Sequence, residues 1–239
     1  MLRAALGFFT RFPVGAEVSS LRGVAAWLPV VGLLVGGSVA VVLWLSSCVF
    51  PPVIAGILGC LTWVLVTGGL HLDGVADCGD GLIVETTPER RLEIMKDSRL
   101  GTFGGATLFF TLTLKTSALT VLAQGDFVQM LTACGLAGLL ARSCVFPAMR
   151  VRSARPGGLG EALREGIEPR HLYLALGGAL VASALCQTHG LLALGAALLV
   201  SLFLLHTAKQ RLGGVTGDVF GCLIESVEWA VLLTFCMEW

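Results

Sequence analysis

The chain has 239 residues, of which 55% are hydrophobic and 13% charged, with a mean hydropathy of +0.85. Soluble domains carry about 25% charged residues, so half of the usual solubilising surface is missing and a water-soluble globule is excluded. The 16 basic and 16 acidic residues cancel, but that sum says little, because their distribution matters more than their total.

The N-terminal "MLRAALGFFTRFPVG" has only a short apolar run between Arg3 and Arg11, too brief for a signal-peptide core. Residues 1–23 are expected to form an amphipathic segment on the cytoplasmic face. Seven apolar windows follow, at 26–47, 53–70, 105–124, 128–147, 172–188, 190–207 and 219–236. Each approaches the ~20 residues that a helix needs to cross a bilayer. Their continuity differs from the alternating pattern of barrel strands. The expected fold is all-α: a single integral membrane domain, 1–239, forming a polytopic transmembrane helical bundle of about seven spans.

Basic residues set the orientation. Fourteen of the 16 Lys and Arg fall in 1–23, 71–104, 148–171 and 208–218, and the hairpins near "SSCVFPP", "AQGDF" and "CQTHG" carry none. Alternating spans put all four segments on one side, which the positive-inside rule makes cytoplasmic. Residues 71–104 and 148–171 are thus read as cytoplasmic loops. Glycine, 31 residues, permits close helix approach and a tight bundle. Eight cysteines are scattered without a C-x-x-C pair and read as small apolar residues rather than ligands or disulfides.

After the second window comes "GGLHLDGVADCGDGL". Asp73, Asp77 and Asp80 are spaced i, i+4, i+7 and fall within about 60° of one helical face. Gly69, Ala76, Gly81 and Val84 occupy the neighbouring helical positions, so no base on the same helix offsets the repulsion of the three acids. A hard divalent cation would, and carboxylates suit Mg²⁺ or Mn²⁺ better than zinc. Gly68, Gly69, Gly74, Gly79 and Gly81 leave the surroundings nearly bare, for close approach of something bulky or for helix packing.

Further along, "GGVTGDVFGCLIESVEWAVLL" places Asp218 and Glu225 seven apart, with Glu228 one turn beyond. Acids inside spans are costly and mark function, so all three are expected to join the same metal pocket. Between the stripes, "RRLEIMKDSRLGTFGG" offers Lys96 and Arg99 to phosphate oxygens. Its glycines 101, 104 and 105 would let backbone N–H groups face an anion at the next helix start. Arg150, Arg152 and Arg155 add positive charge on the same side. A phosphate- or pyrophosphate-bearing substrate follows.

At these residues the chain resembles the cobalamin synthase family, the adenosylcobinamide-GDP ribazoletransferases of the bacterial inner membrane. "GGLHLDGVADCGDGL", "EIMKDSRLGTFGG" and "GGVTGDVFGCLIESVE" match in order, and length and hydropathy agree over essentially the whole chain. The family usually has alanine at the place of Gly79. The resemblance implies that adenosylcobinamide-GDP joins α-ribazole, or its 5′-phosphate, to give adenosylcobalamin, or its 5′-phosphate, with release of GMP and a requirement for Mg²⁺. It implies metal and catalytic roles for Asp73, Asp77 and Asp80, substrate contacts from Lys96, Asp97 and Arg99, and Asp218, Glu225 and Glu228 completing the pocket; Ser98, Gly101, Arg150 and Arg155 are expected to bind substrate as well.

Within that reaction Asp80 is the favoured general base and His71 the alternative. Two ions bridged by Asp77 suit the helical spacing, and Mn²⁺ is expected to substitute for Mg²⁺. Membrane lipid is the expected surrounding, nucleic acid is not an expected partner, and a homo-oligomer is left open. A CDP-alcohol phosphotransferase would show Ala-Arg where this chain has Ala76-Asp77. A cation transporter would place its acids at mid-membrane on broken helices.

Overall fold

The computed structural model describes residues 1–15 and 20–237; positions 16–19 of the N-terminal segment and the last two residues of the chain lie outside the described residues. The described chain is all-helical apart from an isolated bridge between Ser153 and Val215. Helices form at all seven apolar windows: α2 (Leu28–Ser47), α3 (Pro52–Thr67), α6 (Thr102–Leu122), α7 (Phe127–Ser143), α10 (Pro169–Leu185), α11 (Gln187–Leu212) and α12 (Gly217–Thr234). Shorter helices are α1 (Leu2–Phe9), α4 (Leu70–Ile83), α5 (Pro88–Ile94), α8 (Val145–Ala148) and α9 (Leu159–Ala162).

Four stretches are long and apolar enough to cross a membrane: Val24–Ser47, Thr102–Leu122, Phe127–Ala148 and Gln187–Leu212. Helices α3 and α4 together make a fifth, bent by 95°. The expected seven are not reached on length and apolarity, because α10 has only 17 residues and α12 carries three acids among its 18.

Close approach organises the bundle. Gly32 of α2 faces Gly138 of α7, and Gly36 faces Cys134, so that a Cβ at either glycine would strike the partner backbone. Lipid offers no hydrophobic drive between helices, and van der Waals packing of small residues takes its place. The axis of the molecule is α12, which is buried along nearly its whole length and packs against α4, α6, α7 and α11. The outer surface carries exposed Phe109, Phe110, Leu199, Leu202 and Phe203, an apolar exterior that water would not tolerate over such an area.

The segment 71–104, expected as a loop, contains α4 and α5. Helix α3 ends at Gly68 (φ 63°) and α4 starts from Gly69 (φ 70°), two consecutive left-handed residues. Only glycine adopts that conformation without strain, so the sequence Gly68-Gly69 makes the sharp bend. At its far end α4 stops without a backbone cap. Arg91 donates to Gly81 O (2.9 Å) and Leu82 O (3.1 Å), and Arg211 donates to Leu82 O (2.7 Å). Cations there suit the negative end of the helix dipole.

Candidate functional site

Asp73, Asp77 and Asp80 all lie on α4. Gly74 packs against the backbone of Asp218, and Gly221 against the backbone of His71, so closely that a Cβ at Gly221 would lie 3.3 Å from His71 Cα. This bare contact brings the N-terminus of α12 beside the acidic face of α4. Gly79 packs in the same way on Phe103 and Gly104 of α6, and Gly81 on Met95. These glycines therefore serve helix packing, and the bulky neighbours they admit are other parts of the chain.

At Asp77 the strongest like charges are Asp218 and Asp73, then Asp80, and Arg155 opposes them. No basic side chain among the described residues pairs with Asp73 or Asp77. Both line a cavity of about 350 Å³ together with Asp80, Asp97, Ser98 and Arg99.

Asp80 is placed differently from its two neighbours. Its Oδ2 accepts from Gly101 N (2.7 Å) and its Oδ1 from Gly104 N (2.8 Å). Gly101 is the N-cap residue of α6 and has no side chain to satisfy the first N–H groups. The carboxylate of Asp80 does so from another helix. The anion facing these glycines is thus Asp80 itself, where a substrate phosphate was expected. With both oxygens accepting from backbone, Asp80 is less free to take a substrate proton than Asp73 or Asp77.

The loop 148–171 is tied to the start of α12: Val215 N donates to Arg152 O and Ala154 N to Val215 O, both at 2.9 Å. That tie holds Arg155 over Asp218, with Nη1 donating to Oδ2 at 3.1 Å. The Nε and Nη2 atoms of Arg155 are buried without a partner. Thr216 caps α12 by accepting from Val219 N, and its hydroxyl donates to Asp218 at 3.2 Å. Arg99 forks onto Asp97, Nε at 3.0 Å and Nη2 at 2.5 Å, and these hydrogen bonds hold the Asp97 carboxyl down at about 2. Lys96 and Arg150 are exposed, and neither lines the acidic cavity.

Glu225 and Glu228 do not line it either. Lys115 Nζ donates to Glu225 Oε2 at 2.6 Å and also to Glu228, while Arg142 Nη1 donates to Glu228 Oε1 at 2.6 Å. All four side chains are buried. The expectation that these glutamates ligate metal is corrected on this ground: their charge is already balanced by internal bases on α6 and α7. Lys115 and Arg142 were absent from the candidate residues. Their signal was present, since they are the two bases left over once the polar segments are counted, and both fall inside apolar windows. His71, the alternative base, is also buried, and its Nε2 has no partner.

Among the described residues, no three His, Cys, Asp or Glu side chains converge to enclose an ion. The donor set still fits Mg²⁺, which is ordinarily held by one or two carboxylates with water and substrate phosphates completing its octahedron. Asp73 and Asp77 are hard oxygen donors of that kind; Asp218, expected in the same pocket, does not line this cavity and stands beyond the helix contact at Gly74.

Fold and pocket define a helical membrane protein with a carboxylate-lined cavity where α4, α6 and the turn before α6 meet. The family described as cobalamin-5-phosphate synthase matches residues 1–236, and this chain belongs to that family. An adenosylcobinamide-GDP ribazoletransferase of Ectopseudomonas mendocina (strain ymp) is 37% identical over 247 residues, covering 99% of this chain and 98% of the relative. Proteins of the same name from Citrobacter koseri and Escherichia coli (strain K12 / DH10B) are 37% and 35% identical, each covering 96% of both chains. No solved structure matches the chain significantly.

Proposed function

We propose that the chain joins adenosylcobinamide-GDP to α-ribazole, or its 5′-phosphate, with release of GMP, in a Mg²⁺-dependent reaction at the acidic cavity. The relatives bear the name of that transferase. The observation that carries the reading is the pair Asp73 and Asp77, two carboxylates turned to one cavity with no basic partner among the described residues.

Asp73, Asp77 and Asp218 would hold the metal. When bound, Mg²⁺ supplies charge neutralisation to the pyrophosphate and to the departing GMP oxygen. Arg155, with two buried donors unpaired, and Arg99 bind the phosphate oxygens, for which a planar fork is suited. A ribazole hydroxyl attacks the phosphorus that bears cobinamide. The new P–O bond forms as the bond to GMP breaks, and the hydroxyl proton passes to a pocket carboxylate. Asp77 is better placed for that proton than Asp80, whose oxygens hold the start of α6. All seven apolar helices cross the bacterial inner membrane in this reading, with the basic segments and the cavity facing the cytoplasm.

The direct test uses purified protein with Mg²⁺, adenosylcobinamide-GDP and α-ribazole. Stoichiometric GMP and cobalamin are expected, and their absence with every divalent ion would overturn the assignment.

A further inference from the structure

A second cavity, of about 110 Å³, shares Asp73 with the acidic one. Phe8, Phe9, Phe220 and Leu163 form much of its wall, and the polar side chains of His71, Asp73 and Asp218 also line it. His71 is only 4% exposed, and its Nε2 is buried without a hydrogen-bond partner. Asp73 is the single described residue that borders both cavities.

We infer that this second cavity is the subsite for a flat aromatic nitrogen heterocycle, the base of the acceptor nucleoside, with His71 Nε2 bonded to its free ring nitrogen. The inference rests on the transferase reading above for the nucleoside, and on the cavity itself for the ring.

Three observations carry it. The three phenylalanines suit offset or edge-on packing of an aromatic ring. The volume is below that of the ~150 Å³ apolar cavity known to take up benzene, so a planar ring fills it and whatever the ring carries lies outside. A buried imidazole nitrogen requires a partner, and a heterocycle attached to sugar through one ring nitrogen keeps a second as an acceptor for the Nε2–H tautomer. With the base seated here, the sugar emerges at Asp73, beside the carboxylates that face the donor. His71 is then a positioning residue, and its burial separates it from proton transfer in the acidic cavity.

The test needs no turnover. Purified protein in detergent is titrated with 1-methylbenzimidazole or with 1-methylindole, which has the same planar shape but no ring-nitrogen acceptor, and the thermal-unfolding midpoint is read. The wild-type midpoint should be raised by the benzimidazole and clearly less by the indole. His71→Phe, which keeps a ring and removes the nitrogens, should respond equally to both. Leu163→Trp, which fills the cavity from its wall, should respond to neither. In the full reaction His71→Phe should raise KM for the acceptor about ten-fold, the worth of one hydrogen bond, and leave KM for the donor unchanged. No benzimidazole shift in wild type, or an undiminished one in Leu163→Trp, overturns the subsite. A selective shift in a protein that releases no GMP supports the ring subsite and leaves the transferase reading to fall alone.

Discussion

Arg142 Nη1 lies 2.6 Å from Glu228 Oε1, and both side chains are wholly buried. Lys115 reaches the other oxygen of the same carboxylate and lies 4.6 Å from the ring centroid of Trp63. Two positive and two negative charges thus sit together between α6, α7 and α12, where each alone would cost about 2.5–3.5 kcal/mol on insertion scales. Removing one member strands its partner. Glu228→Gln and Lys115→Met should each lower stability by about 3–5 kcal/mol, read as detergent-solubilised unfolding. Arg142→Met combined with Glu228→Met should cost less than Glu228→Gln, and a double variant worse than that single one would contradict mutual neutralisation.

Asp77 and Asp80 are one helical turn apart yet predict opposite phenotypes. Asp77→Asn should leave the unfolding midpoint nearly unchanged and abolish GMP release. Asp80→Ala should destabilise by about 1–2 kcal/mol, as loss of a helix cap does, because α6 loses the acceptor for Gly101 and Gly104. Parallel thermal melts and turnover assays would show whether the two effects separate. Near-normal turnover of Asp77→Asn with Mg²⁺ would remove the metal assignment.

The glycine contact between α4 and α12 predicts a graded loss. Gly74→Ala places a methyl against the Asp218 carbonyl, and Gly74→Leu forces the helices apart. GMP release should fall steeply from the first variant to the second. The same two changes, made in a chain that also carries Asp73→Cys and Asp218→Cys, should lower the yield of the oxidative cross-link between the two introduced thiols in the same order. Full activity in Gly74→Leu would mean that the backbone contact does not set the distance between the two sets of acids.

Orientation is testable with native chemistry. Cys48 is exposed in the hairpin between α2 and α3, which the charge distribution places outside. An impermeant thiol reagent on intact cells should label it. In a Cys48→Ser background, Arg90→Cys and Arg150→Cys should label only after the membrane is opened. Strong labelling of either in intact cells would reverse the proposed topology.

The apolar windows located every long helix because the membrane selects for continuous hydrophobicity, which periodicity-free counting reads directly. The 95° turn was less legible. Gly68 and Gly69 were visible, but glycine also serves packing, and only the paired left-handed conformations distinguish the uses. Asp73, Asp77 and Asp80 look equivalent on a helical wheel, yet Asp80 is claimed by N–H groups more than twenty residues further along. Helical spacing carries no record of such a partner. The same blindness joined Glu225 and Glu228 to Asp218. All three do lie on α12, but depth along that helix decides which neighbours each one meets, and the bases that meet the glutamates come from α6 and α7.

Asp218 and Glu225 are separated by two turns, about 10 Å along the helix, so α12 acts as a ruler. Its first turn belongs to the wet chemistry and its middle to the dry electrostatics, and a single rigid rod fixes the phase of both. Deleting one residue between them would rotate everything beyond by about 100°, and no local adjustment could keep Asp218 toward α4 and Glu225 toward Lys115 together. Gly221 apart, whose bare contact with His71 leaves no room for a side chain, the stretch 219–224 should therefore tolerate exchange of side chains far better than any change in length.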